Sequence, residues 1–281
     1  MANPMPADFF LKALLAEGLT VVQEGSWREH NRNHKGAWGP VNGVVIHHTV
    51  TEGTAATVRI VRDGYADLPG PLCHGMIAKD GRVYLVGYGR TNHAGLGDGD
   101  VLAAVIAERP LPADNEANTD GNRHFFGFEC ENLGDGKDPW PAVQLDSIER
   151  AAAAICRYYG WGAASVIGHL EWQPGKVDPR GFTMAGMRAR IETRLAHPAS
   201  WNSSPKEDDM TPAQEALLHQ IAADVAELKK NAAKSPWTYR NEAQDAASLE
   251  ATGKRIPDMH GRVEAVQRDL TVALAILKKG A

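Results

Sequence analysis

Hydrophobic and polar residues repeat with two different periods over the first 197 residues of the chain. Apolar residues at helical spacing predict helices over residues 7–17, 51–64, 141–159 and 183–196. Short β-branched or aromatic runs predict strands at 44–46 and 125–131, and residues 76–86 have the pattern of a β-hairpin with its turn at Asp80-Gly81. Because the two kinds of element interleave, we expect a mixed α/β domain.

The pattern changes near residue 197. Residues 198–209 are polar, contain Pro and Ser, and have no hydrophobic period, which is typical of a linker. Beyond them, apolar residues three and four apart predict two helices, within 211–230 and 256–279. These helices fit either a small bundle or self-association as a coiled coil. The predicted organisation is a domain over 1–197, then the linker, then a small all-α region over 210–281.

Composition restricts the class of protein without identifying it. The chain has 281 residues, 43% of them hydrophobic, and a formal net charge of −5. This charge balance gives no electrostatic reason to expect nucleic acid or a membrane surface as partner. No apolar run approaches the ~20 residues of a membrane helix, and the start lacks a signal-peptide pattern. Three cysteines, Cys73, Cys130 and Cys156, are too few for a disulfide framework, so we expect a reducing cytoplasm.

Candidate chemistry is concentrated in a few histidines and one carboxylate. His47 and His48 end a predicted strand, and neighbouring strand residues point to opposite faces, so only one of them is expected to enter a given site. His169 begins a loop rich in Pro and Gly that can fold back and bring Asp178 close to it. Two imidazoles, one carboxylate and an open position form a catalytic zinc arrangement. Spacing alone leaves open that these histidines are core or surface residues.

Four motifs occur in an order that resembles a known family. They are Val45-Ile-His47-His48-Thr49, Asn92-His93-Ala-Gly95, Gly127-Phe-Glu129-Cys-Glu-Asn132, and Gly168-His169 continuing to Lys176-Val-Asp178-Pro179. Together they resemble the type 2 zinc-dependent N-acetylmuramoyl-L-alanine amidases, relatives of the peptidoglycan recognition proteins, over about residues 40–195. The layout of domain, linker and small C-terminal region resembles a bacteriophage endolysin, particularly those of phages that infect actinobacteria. The resemblance implies a central mixed β-sheet flanked by helices, with zinc in a surface cleft.

The resemblance also implies roles for individual residues. His47, His169 and Asp178 would bind one Zn²⁺ per catalytic domain. Glu129 would act as general base on the water that attacks the amide between N-acetylmuramic acid and L-alanine. Lys176 would face the oxyanion that forms on the carbonyl.

Further positions are expected to contact the substrate or to depart from the family pattern. Asn92 and His93 are expected to line the cleft, and Trp172 is either a wall of the cleft or a core residue. Several relatives have a catalytic Tyr in a Tyr-His pair before the hairpin, whereas this chain has Cys73-His74. A thiol cannot replace a phenol at that reach, so we assign the base role to the glutamate.

Three functions remain as hypotheses. The first is an endolysin that hydrolyses peptidoglycan, accumulates in the host cytoplasm and is released to the wall at lysis. The second is a virion-associated amidase that opens the wall at infection. The third is a non-catalytic peptidoglycan-binding module, although such relatives typically lack a zinc ligand and this chain has all three. In each, residues 210–281 would bind the wall or mediate self-association.

The linker also contains a candidate start of translation. In a GC-rich genome, Lys206-Glu-Asp-Asp-Met210 reads as a ribosome-binding site followed by a start codon; the alternative is an acidic linker with an incidental Met. We predict a free fragment, 210–281, that assembles with the full chain. A small second band should appear on a gel of the wild-type product and be absent from a Met210→Leu variant. Persistence of the band in the variant, for example through proteolysis, would contradict an internal start.

Overall fold

The structure, a computed structural model, describes residues 2–202 together with Gln220 and Asp224. Contacts between Cα atoms divide the chain into two units, Met1–Trp201 and Asn202–Ala281. Apart from Gln220 and Asp224, the two predicted C-terminal helices lie outside the described residues, and so does the candidate start at Met210.

A six-stranded mixed sheet forms the centre of the first unit. Its strands and those of a separate two-stranded ribbon (β5 and β6) are β1 (Val21–Gln23), β2 (Gly43–His48), β3 (Gly75–Ile77), β4 (Val83–Leu85), β5 (Leu96–Gly97), β6 (Thr119–Asp120), β7 (Phe125–Cys130) and β8 (Val166–Gly168). The order across the large sheet is β1-β4-β3-β7-β2-β8. Strands β7 and β8 flank β2, both parallel to it, whereas β3 and β4 form the predicted antiparallel hairpin. Gly81 in its turn has φ of 83°, a conformation that favours glycine.

Helices cover the sheet, and α1, α2, α5 and α6 lie close to their predicted bounds. They are α1 (Ala7–Ala16), α2 (Thr54–Asp63), α3 (Gly99–Ile106), α4 (Gly121–His124), α5 (Ala142–Tyr159) and α6 (Met184–Leu195). The sequence pattern missed α3 because residues 101–106 are uniformly apolar and have no helical period. Asp98 is the N-cap of this helix, and its carboxylate accepts hydrogen bonds from the backbone N–H groups of Asp100 and Val101. Within the described residues, no helix has the length and apolar character needed to cross a bilayer.

The two faces of β2 and β7 pack into different hydrophobic clusters. Val44 and Ile46 pack with α1 and α5 residues such as Phe10 and Ile148, whereas Val45 packs in a second cluster beside α3. All six residues of β2 are buried. This alternation assigns odd-numbered residues of both strands to one face, and that face carries the candidate site.

Candidate active site

Three side chains with metal-binding atoms converge at the carboxyl ends of β2 and β8. The Nδ1 atom of His47 lies 3.0 Å from Nδ1 of His169 and 3.0 Å from Oδ2 of Asp178. Nδ1 of His169 lies 3.1 Å from Oδ2 of Asp178, so these three atoms form a nearly equilateral triangle, called the triangle below. Because β2 and β8 are parallel neighbours, His47 at the end of one and His169 just after the other reach the same edge.

Backbone hydrogen bonds return the following loop to this edge. The N–H of Leu170 donates to the carbonyl oxygen of Asp178 at 2.8 Å, which closes the loop at its base. The N–H of Arg180 donates to Nδ1 of His48 at 3.1 Å. The loop therefore folds back, as its Pro and Gly content indicates. His48, on the other face of β2, accepts one of the hydrogen bonds that hold the loop in place.

Burial sets the charge states of the convergent groups. It lowers the pKa of His47 to about 4, with a further contribution from neighbouring His169. Burial alone would raise the pKa of Asp178, but its close contacts with the imidazoles of His169 and His47 hold it well below its usual value. At neutral pH the site therefore contains an ionised carboxylate beside a neutral imidazole of His47, which are the forms that bind a cation.

The triangle has the size that a zinc ion requires. Tetrahedral zinc binds nitrogen and oxygen at about 2.0–2.2 Å, which separates its ligand atoms by roughly 3.3 Å. The three distances of 3.0–3.1 Å are close to this spacing. Among the described residues, no fourth His, Cys, Asp or Glu joins the group. Three protein donors with one position left for water is the pattern of a catalytic rather than a structural zinc site.

A cavity of about 560 Å³ opens directly over the triangle. Its floor is polar and includes His47, Glu129, His169 and Asp178, with Asn92 and Lys176 on its walls. Its rim is apolar and exposed, and includes Val50, Tyr65, Leu68 and Val177. Apolar walls around a few convergent polar groups are typical of a site that binds an organic substrate.

Glu129 is held beside the triangle by strand register. It lies directly opposite His47 in the β2–β7 pairing, so both side chains are on the same face of the sheet. Its Oε2 is buried and has no hydrogen-bond partner in the described part of the chain. Burial raises the pKa of Glu129 well above its usual value; the negative charge of Asp178 adds to this shift and the positive charge of Lys176 opposes it. An unpartnered carboxyl with a raised pKa is suited to exchanging a proton with a reactant.

The remaining predicted site residues fall into two groups. Asn92 lines the cavity, with its amide donating to the carbonyl of Pro69 at 3.1 Å. His93 also borders the cavity but is 7% exposed, and burial lowers its pKa well below the usual value, so its ring is neutral. Trp172 is fully buried and its indole N–H donates to the carbonyl of Ala94. Trp172 is therefore a core residue, and the expectation that it contacts the substrate is wrong.

Two features of the site were missed in the sequence. Gln173 borders the cavity with its Oε1 3.2 Å from Nε2 of His169. Its position between His169 and Asp178 in the motif loop was the available signal. The apolar rim residues Tyr65 and Leu68 follow α2, where no pattern distinguished them from ordinary surface residues.

A family model described as N-acetylmuramoyl-L-alanine amidase matches residues 37–181. The chain belongs to this family, the type 2 amidases, and is an N-acetylmuramoyl-L-alanine amidase. No curated protein matches the chain.

Solved structures with a similar fold include several amidases. The endolysin amidase LysCS from Clostridium intestinale is 16% identical, with 61% of this chain and 95% of that chain covered and a TM-score of 0.42. The hydrolase AmiA from Staphylococcus aureus is 12% identical, with 69% and 95% covered and a TM-score of 0.42. The amidase AmiD from E. coli is 16% identical, with 56% and 59% covered and a TM-score of 0.41.

Metal binding by the triangle can be tested with one substitution. We expect the wild-type protein to bind one zinc ion and Asp178→Asn to bind it about 100-fold more weakly or worse, because the amide removes the only negative charge among the three donors. Competition with a colorimetric chelator measures the affinity. Asp135→Asn is the control, since Asp135 is exposed and, among the residues that the structure describes, bonds only to backbone N–H groups of its own turn. Equal zinc binding by both variants would contradict the assignment of Asp178.

Proposed function

We propose that this amidase is zinc-dependent and acts as a phage endolysin on the peptidoglycan of its host. The reaction is hydrolysis of the amide that joins N-acetylmuramic acid to L-alanine. The observation that supports zinc dependence is the convergence of His47, His169 and Asp178 beside Glu129 under one cavity. We assign the three convergent residues as the zinc ligands.

Hydrolysis of an amide requires an activated water, a polarised carbonyl and a proton for the leaving amine. A zinc ion bound by the three donors supplies Lewis acidity and lowers the pKa of water. Glu129 takes a proton from the attacking water and returns it to the nitrogen of L-alanine as the C–N bond breaks. Its raised pKa suits both steps, because a raised pKa makes the carboxylate a stronger base toward water and lets the protonated carboxyl retain the proton until the transfer.

Lys176 supplies positive charge at the wall of the cavity. Its charge lowers the pKa of Glu129 and of His47, so the ammonium group lies within electrostatic reach of the reacting atoms. It stabilises the oxyanion that develops on the carbonyl oxygen during attack. Asn92, on the same cavity, is the proposed contact with the peptide or sugar of the substrate.

The endolysin role rests on the layout of the chain. An enzyme with an insoluble substrate gains from a second attachment to it, and residues 210–281 are the proposed wall-binding or self-association region. We place the protein in the host cytoplasm until lysis, after which it reaches the wall. Detection of the protein in washed phage particles would favour the virion-associated alternative instead.

Digestion of purified cell walls tests the activity and its metal dependence together. We expect new N-terminal L-alanine and no new reducing sugar ends, and we expect a chelator to abolish the release until zinc is restored. The products are measured by end-group labelling and by a reducing-sugar assay. New reducing ends would identify a glycosidase and contradict the proposal, and full activity in chelator would contradict zinc dependence.

The role of Glu129 is tested by two substitutions. Glu129→Ala and Glu129→Gln should each retain zinc and lose about 10²–10⁴-fold in kcat, because neither side chain can accept a proton. The zinc content of each purified variant is the control. Loss of zinc from either variant, or a kcat within a few-fold of wild type, would count against a general base at this position.

A further inference from the structure

We propose that His93 and Gln173 are positioning residues that hold the two metal-binding histidines in the form that presents Nδ1 to the metal. This inference rests on the proposed zinc function. It assigns to His93 a different role from the substrate contact that the sequence predicted, and it gives Gln173 a role for the first time. The hydrogen bonds of the buried rings determine which ring nitrogen carries hydrogen, and this decides which nitrogen can bind a metal.

A backbone carbonyl fixes the hydrogen on His93. Nε2 of His93 lies 3.2 Å from the carbonyl oxygen of Phe125, which can only accept a hydrogen bond, so this nitrogen carries the hydrogen. In the neutral ring, Nδ1 of His93 is then an acceptor. It lies 3.1 Å from Nε2 of His47, which must therefore donate. Nδ1 of His47 therefore keeps a free lone pair, which is directed toward the metal-binding atoms of His169 and Asp178.

The alternative form of His47 is disfavoured by the same contacts. With hydrogen on Nδ1, His47 could bond to Asp178 or His169 at 3.0 Å and satisfy the site without a cation. Its Nε2 lone pair would then face the Nδ1 lone pair of His93 at 3.1 Å, which is repulsive. His93 thus opposes the arrangement that competes with metal binding.

The position of His93 is built into the fold. Its backbone N–H and that of Ala94 both donate to Oδ1 of Asn122 at 2.8 Å. The ring packs against β7 where residue 127 is glycine, and a Cβ there would lie 2.4 Å from Nδ1 of His93. Both ring nitrogens are used within the protein, so the side chain has no free polar atom to offer a substrate.

His169 has an equivalent partner on the other side of the triangle. Its Nε2 lies 3.2 Å from Oε1 of Gln173, and the N–H of Gln173 donates to the carbonyl of His169 at 3.1 Å. Both histidines therefore direct Nδ1 inward and Nε2 toward a neutral acceptor. Acceptors of this kind orient metal-binding histidines and make them stronger ligands.

Matched substitutions of His93 separate the effect of losing its hydrogen-bond acceptor from the effect of changing its packing. His93→Asn keeps an oxygen near the position of Nδ1, whereas His93→Leu has a similar shape without an acceptor. We expect zinc affinity to fall about 10–100-fold in His93→Leu and to stay within a few-fold of wild type in His93→Asn. At Gln173 the corresponding pair is Gln173→Met, which removes the acceptor, and Gln173→Glu, which keeps one. This pair tests the role of the acceptor on His169 if the His93 variants do not fold.

Three further readouts distinguish positioning from a general structural role. Unfolding midpoints of the metal-free Asn and Leu variants should be similar, because both lack the bond to Phe125. In ¹⁵N-histidine NMR spectra of the zinc-loaded wild type, His47 should carry hydrogen on Nε2. Steady-state kinetics at saturating zinc should show no rise in KM for His93→Leu.

Several outcomes would overturn the inference. Equal zinc affinity of the Asn and Leu variants would do so while leaving the proposed function intact. A raised KM with unchanged zinc affinity would restore His93 as a substrate contact. Hydrogen on Nδ1 of the zinc-loaded His47 would also contradict it, and failure of the wild type to bind zinc would overturn the proposed function as well.

Discussion

The parallel pairing of β2 with β7 and β8 is the constraint on which the site depends. The carboxyl ends of parallel strands lie at the same edge of a sheet, so residues that are far apart in the chain can meet there. His47, Glu129 and His169 are separated by as many as 122 positions. The register of β2 with β7 nevertheless sets His47 opposite Glu129, and the pairing of β2 with β8 brings His169, which directly follows β8, to the same edge. The loop that closes onto Leu170 then adds the carboxylate of Asp178.

Burial gives these groups their chemical character. In water, a histidine titrates near neutrality and a glutamate is ionised. In this edge of the sheet, burial lowers the pKa of His47 and raises that of Glu129, while the imidazole contacts keep Asp178 ionised. The same fold therefore brings together side chains that could hold a cation and, beside them, a carboxyl suited to proton transfer. The two carboxylates differ in character because Oδ2 of Asp178 lies 3.0–3.1 Å from two imidazole nitrogens, whereas the buried Oε2 of Glu129 has no hydrogen-bond partner among the described residues.

The sequence was sufficient for about half of the elements and for the family, but less so for the surroundings of the site. The hairpin, four helices and the alternating faces of β2 follow from hydrophobic period and turn residues. Helix α3 was missed because its apolar run has no period. The burial of Trp172 and the partners of His93 depend on contacts between segments distant in the chain, which local patterns do not encode. Motif residues were therefore easier to find than to assign to a role.

We propose that Nδ1 of His47, Nδ1 of His169 and Oδ2 of Asp178 form a zinc site in this fold. The most direct test is anomalous diffraction at the zinc absorption edge from crystals of the zinc-loaded protein. We expect a single strong peak in this domain, about 2.0–2.2 Å from each of these three atoms. A peak bonded through Nε2 of either histidine, or one that lies away from Asp178, would contradict it.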